Sequence, residues 1–312
     1  MRLYKTPAEH SRLSPRADPI DVLKETSRTF YFSIIDLPQG LREAVISAYL
    51  SLRAIDEIED HPRLNKLTKT RLLHDISFNC QCFDTGGADR LFSALGPCRE
   101  YLPEVTNRLG EWLALAPETI APRIWDASSV MAQRMTYWVG NDWQIHTEAD
   151  LDCYTFSVAG TVGLLLSDLW AWYDGTPTHR GRAIGFGRGL QAVNILRNRA
   201  EDLARGVNFF PNGWNEDDLR CYAERNLTLA EAYVETLSPG PANDFCRLPL
   251  FLAYATLDAL ARGESKLSRS TVLEIVRQAR STQRKTGNAL GHNSLGDSNK
   301  KRDGVREGLV SK

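Results

Sequence analysis

The sequence predicts an all-α fold, a helical bundle in one domain, and three observations carry that reading. Apolar residues recur at helical spacing from about Pro19 to Arg284, no convincing run of alternating strand residues interrupts them, and the connections between periodic segments are short. The composition is compatible with this. The chain has 312 residues, 42% hydrophobic and 25% charged, which is ordinary for a globular protein and wrong for a disordered one. That length can bury a substantial core.

Residues 1–18 are polar and contain proline, and read as a loosely ordered N-terminal segment. The periodicity then predicts helices near 20–35, 41–60, 66–83, 88–100, 103–115, 119–138, 148–173, 180–204, 215–236, 242–262 and 270–283. The segment 41–60 contains neither Gly nor Pro, places Val45, Tyr49, Leu52 and Asp56 on one face, and is stopped by Pro62. Residues 19–283 form the predicted domain. After it the character changes: 284–312 is rich in Gly, Asn, Ser and charge, and reads as a polar, basic, disordered tail.

The formal net charge of −1 gives no general field for nucleic acid, so an anionic ligand must be met by a local site. The balance conceals an asymmetry, because the tail carries +4 and the rest of the chain −5. A +4 tail offers at most weak attraction to an anionic membrane surface. Six cysteines without CxxC spacing argue against a zinc site or a disulfide framework, and make reducing cytoplasm the expected location. MRLYKTPAEH has no apolar run of the secretory kind. The longest uncharged apolar stretch, Cys153 to Ser167, is too short to span a membrane and ends at Asp168.

Two helices carry polar faces that call for an explanation. In AYLSLRAIDEIEDHP, Arg53, Asp56 and Asp60 project from the face that continues the apolar stripe of Val45, Tyr49 and Leu52. Carboxylates ending a buried stripe are costly unless they bind something, and two of them a turn apart can hold a hard cation such as Mg²⁺. A solvated helix end with an intrahelical Arg–Asp pair is the plain alternative. In GLQAVNILRNRAEDLARGVNFFP, Asn194, Asn198 and Asp202 form a ridge at i, i+4 and i+8, with Arg197, Glu201 and Arg205 beside it. This suits a second oxygen-donor wall facing the first, against the alternative of a charged outer face. Carboxylates, Mg²⁺ and arginine together are the constellation that binds and polarises a diphosphate.

At these residues the sequence resembles the squalene/phytoene synthase family of isoprenoid synthases. TSRTF (Thr26 to Phe30) is similar to its phosphate-contacting segment, LRAIDEIED (Leu52 to Asp60) to its first aspartate-rich motif, and VAGTVG (Val158 to Gly163) to its small-residue helix break. NILRNRAED followed by FFP (Asn194 to Pro211) is similar to its second motif, and FCRLPLFLAYATL (Phe245 to Leu257) to a pocket-lining helix. The blocks keep the family order over roughly 19–280. The resemblance implies an all-α bundle around a deep apolar cavity, with Mg²⁺ held on a substrate diphosphate by Asp56, Asp60, Asn194, Asn198 and Asp202. It implies diphosphate contacts from Ser27, Arg28, Arg53 and Arg197. Tyr154, Phe156, Phe30 and Phe245 are then candidates for aromatic walls that steady a carbocation.

Three positions depart from the family pattern. Asn198 stands where an Asp is usual, Val207 where an Arg usually follows the loop glycine, and Ser157 where animal-type squalene synthases have a catalytic Tyr. The expected activity is ionisation of farnesyl or geranylgeranyl diphosphate, most commonly followed by head-to-head condensation. Asn198 and Val207 keep open single-substrate cyclisation, water capture, or prenyl transfer to a non-isoprenoid acceptor. A non-catalytic assembly factor would need eroded ligands, and Asp56, Asp60 and Asp202 persist. NADPH use has no readable signature, since no GxGxxG follows a strand. Peripheral membrane contact would serve release of a water-insoluble product.

Overall fold

The computed structural model describes residues 18–280 with the exception of Arg28. In chain order the helices are α1 (Pro19–Ser27), α2 (Phe30–Ile35), α3 (Leu41–Glu59), α4 (Lys66–Gln81), α5 (Gly87–Leu95), α6 (Glu104–Asn107), α7 (Leu109–Ala114) and α8 (Ala121–Gly140). They continue as α9 (Glu148–Thr155), a π-turn (Phe156–Gly160), α10 (Thr161–Asp174), α11 (Arg180–Ala204), α12 (Glu216–Thr236) and α13 (Pro241–Ala261). Residues 269–280 are also helical. No strand occurs among the described residues. The basic tail at 284–312 and the first seventeen residues lie outside the described residues.

Three segments expected as single helices are divided, each for a local reason. The 20–35 stretch breaks between α1 and α2, where the Tyr49 hydroxyl donates to the Thr26 carbonyl at 3.1 Å. The 103–115 stretch divides at Arg108, where tertiary bonds compete with the helix ladder: Trp112 Nε1 donates to the Val105 carbonyl at 2.7 Å and Ser47 Oγ to the Trp112 carbonyl at 2.7 Å. The 148–173 stretch widens into the π-turn at Phe156–Gly160, over the small residues Ala159 and Gly160.

The remaining ends follow capping chemistry. Thr147 with Asp150 and Asn215 with Asp218 form capping boxes that start α9 and α12. Gly206, at φ 81°, ends α11: its N–H donates to the Leu203 carbonyl and that of Val207 to the Asp202 carbonyl, both at 3.0 Å. This is a Schellman cap, which needs a left-handed residue where Gly206 stands.

The bundle closes through one very tight helix pair. A Cβ added at Gly163 would lie 2.1 Å from the Ala183 carbonyl oxygen, and one at Gly187 would lie 2.1 Å from that of Ala159. Backbone meets backbone there, so α10 and its π-turn lie directly against α11. Gly163→Ala and Gly187→Ala are each expected to destabilise by about 1–3 kcal/mol, overpacking outweighing the gain in helix propensity. Gly140→Ala, where an added Cβ meets nothing within 4 Å, should be neutral or slightly stabilising. Chemical denaturation of the three variants checks this.

Candidate active site

The α3 stripe formed by Val45, Tyr49 and Leu52 lines a cavity of about 250 Å³, and Asp56 stands on the same stripe. The facing walls come from Phe30 and Ile34 of α2, Met131 of α8, Val158 of the π-turn, Val162, Leu165 and Leu166 of α10, and Phe245 of α13. Arg53, Asp56 and Gln191 contribute polar side chains to this lining, beside the phenol of Tyr49. The aromatic residues are in contact: the Phe30 ring lies 6.3 Å from Tyr49 and 6.5 Å from Phe245.

The two acidic motifs meet across the bundle. Asp60 caps α3, and its carboxylate pairs with the guanidinium of Arg205, which caps α11. Arg205 Nη2 also donates to Asp202 Oδ1 at 2.6 Å, so one cation ties the motifs together. Arg53 pairs with Asp56 at 2.5 Å and with Glu57, so the intrahelical pair exists and lies on the cavity wall.

The α11 ridge does not converge on one point. Asp202 joins Asp60 through Arg205, whereas Asn194 and Arg197 line a small adjoining cleft with Thr29 and Phe30. Asn198 Oδ1 accepts from Arg197 Nε at 3.1 Å. Ser27 is buried and its Oγ has no hydrogen-bond partner among the described residues; Arg28 lies outside them.

Of the expected aromatic wall, Phe30 and Phe245 line the cavity and Tyr154 and Phe156 do not. Tyr154 is buried in a stack, 4.5 Å from Phe209, with Trp138 edge-on at 5.4 Å. Phe156 lies under the guanidiniums of Arg134 at 4.7 Å and Arg188 at 6.0 Å. Both rings sit where α9 opens into the π-turn, and a continuous helix would have aimed them differently. Ser157 accepts from Trp138 Nε1 at 3.2 Å and donates to the Cys153 carbonyl at 2.7 Å, a packing role.

Two features were missed by sequence reasoning. Gln191 precedes Asn194 by one turn, and extending the polar ridge backwards would have found it. Glu59, the third acid of the first motif, is only 3% exposed and accepts from Trp143 Nε1 at 2.5 Å. Lys69 donates to the Glu59 carbonyl at 2.6 Å and lies over the Trp143 ring at 5.4 Å. Trp143 lies 84 residues away from Glu59 in sequence, and no local pattern announces the pair.

The electrostatics record crowding of like charge. Burial, and then the charges of Asp60 and Asp56, push the Glu59 carboxyl up to about 8. Burial and then Asp60 push Asp56 up to about 7, against the pull of Arg53. Burial and the neighbouring acids Glu59, Asp60, Asp56 and Asp202 push the Tyr154 hydroxyl well above its usual range. For Arg205 burial opposes the charge, but the bonds to Asp60 and Asp202 outweigh it and raise its pKa.

The donor set fits Mg²⁺. Asp56 and Asp60 are hard oxygen donors one turn apart, their repulsion favours an added cation, and Mg²⁺ is commonly held by one or two carboxylates, with water and phosphate oxygens completing the shell. Among the described residues no three His, Cys, Asp or Glu side chains form a closed cluster.

Glu59 allows a sign-definite prediction. An unfolded carboxyl ionises near 4.5 and the folded one near 8, so the folded state binds more protons within that window. Stability conferred by Glu59 is therefore present below it and lost as pH rises through it. Glu59→Gln keeps an acceptor for Trp143 and removes the titration. In chelator-treated protein it should raise the thermal midpoint by a few degrees at pH 8 and leave it unchanged at pH 5.

Comparison with known proteins identifies the family. Residues 23–224 match the family described as squalene/phytoene synthase. Squalene synthase of Schizosaccharomyces pombe is 30% identical over 275 residues, 77% of this chain and 58% of the relative. Squalene synthase of Eremothecium gossypii is 29% identical over 285 residues, 80% of this chain and 63% of the relative. The chain thus spans about three-fifths of the length of these relatives. A ligand complex of TcSQS superposes with a TM-score of 0.67 at 23% identity, covering 91% of this chain and 92% of that one. A dehydrosqualene synthase complex gives 0.55 at 16% identity, covering 86% and 95%. These structures show the same all-α fold. Fold, ordered motifs and sequence match together establish that the chain belongs to the squalene/phytoene synthase family.

Proposed function

We propose that this protein is a Mg²⁺-dependent isoprenoid synthase that ionises an allylic prenyl diphosphate, farnesyl or geranylgeranyl, and joins two such units head to head. The observation that carries this reading is the cavity itself: an apolar, aromatic-lined space with Arg53 and Asp56 on its wall, beside facing acidic motifs joined by Arg205. The names of the relatives above support the same chemistry.

Ionisation breaks the allylic C–O bond and leaves its electron pair on the diphosphate. Mg²⁺ held by Asp56 and Asp60, with the second motif opposite, would supply Lewis-acid neutralisation of that leaving group. Arg53 and Arg205, with Arg197 in the adjoining cleft, would add hydrogen bonds to it. Arg53 Nε and Ser27 Oγ are buried without partners among the described residues, and both residues belong to the expected diphosphate-contacting set. The aromatic faces of Phe30, Tyr49 and Phe245 line the space in which a carbocation is kept from water. Gln191 is the polar side chain that α11 adds to the lining.

A second reading has a specific observation behind it. Asn198 accepts from the Arg197 guanidinium and Val207 is buried, so the two positions where the family resemblance expects a charged side chain carry none here. An enzyme ionising one substrate needs fewer such contacts. No helix among the described residues is long and apolar enough to cross a membrane. A cytoplasmic location, which the cysteine usage supports, and peripheral membrane contact for product release are part of this proposal.

Incubating the protein with farnesyl or geranylgeranyl diphosphate and Mg²⁺, with and without NADPH, and identifying products by mass spectrometry tests the reading. A thirty- or forty-carbon hydrocarbon is expected. Only fifteen- or twenty-carbon products, or a prenylated acceptor, would replace condensation with the single-substrate reading. Asp56→Asn should lower kcat/KM by about 10²–10³, the range seen when one transition-state electrostatic contact is lost.

A further inference from the structure

Arg205 stands between the two acidic motifs, and its position follows from the way α11 ends. The Schellman cap at Gly206 fixes Arg205 as the C-cap of the helix, one turn beyond Asp202, and turns Val207 into the core at 7% exposure. The guanidinium then bonds Asp202 on its own helix and Asp60 at the end of α3. Its side chain is 34% exposed and that of Asp60 48%, so the pair sits at an accessible edge of the site, while Asp202 is 12% exposed.

Such a contact creates a competition. A divalent cation entering between Asp56 and Asp60 shares the Asp60 carboxylate with Arg205, which bonds its Oδ1, and two cations on one carboxylate repel. Arg205 has a long side chain on a helix terminus. Once displaced, it still lies beside the site, with a planar donor fork suited to phosphate oxygens.

We propose that Arg205 is an exchangeable counter-ion: without ligand it neutralises Asp60 and Asp202, and when a metal diphosphate arrives it passes from Asp60 to the diphosphate oxygens. This rests on the reading of the site as a diphosphate site and assigns Arg205 two successive partners there. Exchange keeps the acidic walls compatible with the fold when empty, and couples loss of the bridge to arrival of the anion. No covalent step is involved.

The consequence is a pair of effects of opposite sign. Removing the guanidinium frees Asp60 for metal but deprives the diphosphate of a donor. Calorimetric titration of the whole chain with Mn²⁺ alone, and with inorganic pyrophosphate in saturating Mg²⁺, reads the two separately. Arg205→Gln should bind Mn²⁺ alone several-fold more tightly, and pyrophosphate with Mg²⁺ about ten-fold more weakly, than the parent. Arg205→Lys, which keeps the charge without the fork, should return Mn²⁺ affinity towards the parent value and restore pyrophosphate binding only in part. If both affinities of a folded Arg205→Gln protein fall together, or neither moves, the exchange is wrong and the residue is structural or idle. If the parent binds no pyrophosphate in Mg²⁺, the diphosphate reading itself fails, and the exchange with it.

Discussion

Everything at this site depends on placing several carboxylates at the end of an apolar core. Burial, and after it the charge of Asp60 beside them, raises the affinity of Asp56, Glu59 and Asp202 for protons. A core helix such as α3, buried at Ala44, Ile55 and Ile58, would be more stable ending in apolar or neutral residues. The fold tolerates the charge because each acid has its own device: Arg53 on Asp56, Trp143 on Glu59, and Arg205 shared by Asp60 and Asp202. Only the last reaches between the two walls.

These devices rest on backbone arrangements of unequal cost. The α10–α11 contact at Gly163 and Gly187 needs only the absence of a Cβ. The loop carrying Trp143 is strained: Asp142 and Trp143 adopt φ of 54° and 48°, a region non-glycine residues enter at about 1–3 kcal/mol each. That strain persists because Lys66 pairs with Asp142 at 2.8 Å and Lys69 covers the indole, both from the first turn of α4. The outcome is an indole N–H fixed on a buried carboxylate between Asp56 and Asp60 in sequence.

The sequence made the fold class and the inward stripe of α3 legible, because helical periodicity is local and α3 contains no residue that interrupts it. Asp56 on the cavity wall and Asp60 facing Asp202 follow from the same period. Tyr154 and Phe156 lie outside this cavity's lining, where α9 gives way to the π-turn and regular helical spacing no longer tells which way a ring points. Glu59 with Trp143 was hidden because its logic is tertiary. The ridge of Asn194, Asn198 and Asp202 was legible as a ridge, yet a common face does not guarantee a common partner. Asn198 turns to its neighbour Arg197, and Asn194 opens on the cleft beside Phe30.

The departure at Val207 illustrates how capping and charge are linked. At the end of α11 the cap decides which side chains face the core and which face the site. Val207 is the second residue past the helix end, where a Schellman motif favours an apolar group packed back on the last turn, and it is buried accordingly. A guanidinium there would have to leave that packing. Arg205, two residues earlier, keeps a helical conformation and reaches both acids without disturbing the cap. The cation of this turn thus stands at the helix end and not on the loop, and that position gives it Asp60 as a partner. A single local sequence, Ala204-Arg205-Gly206-Val207, thereby sets the helix end, the burial of a valine and the charge balance between the two walls.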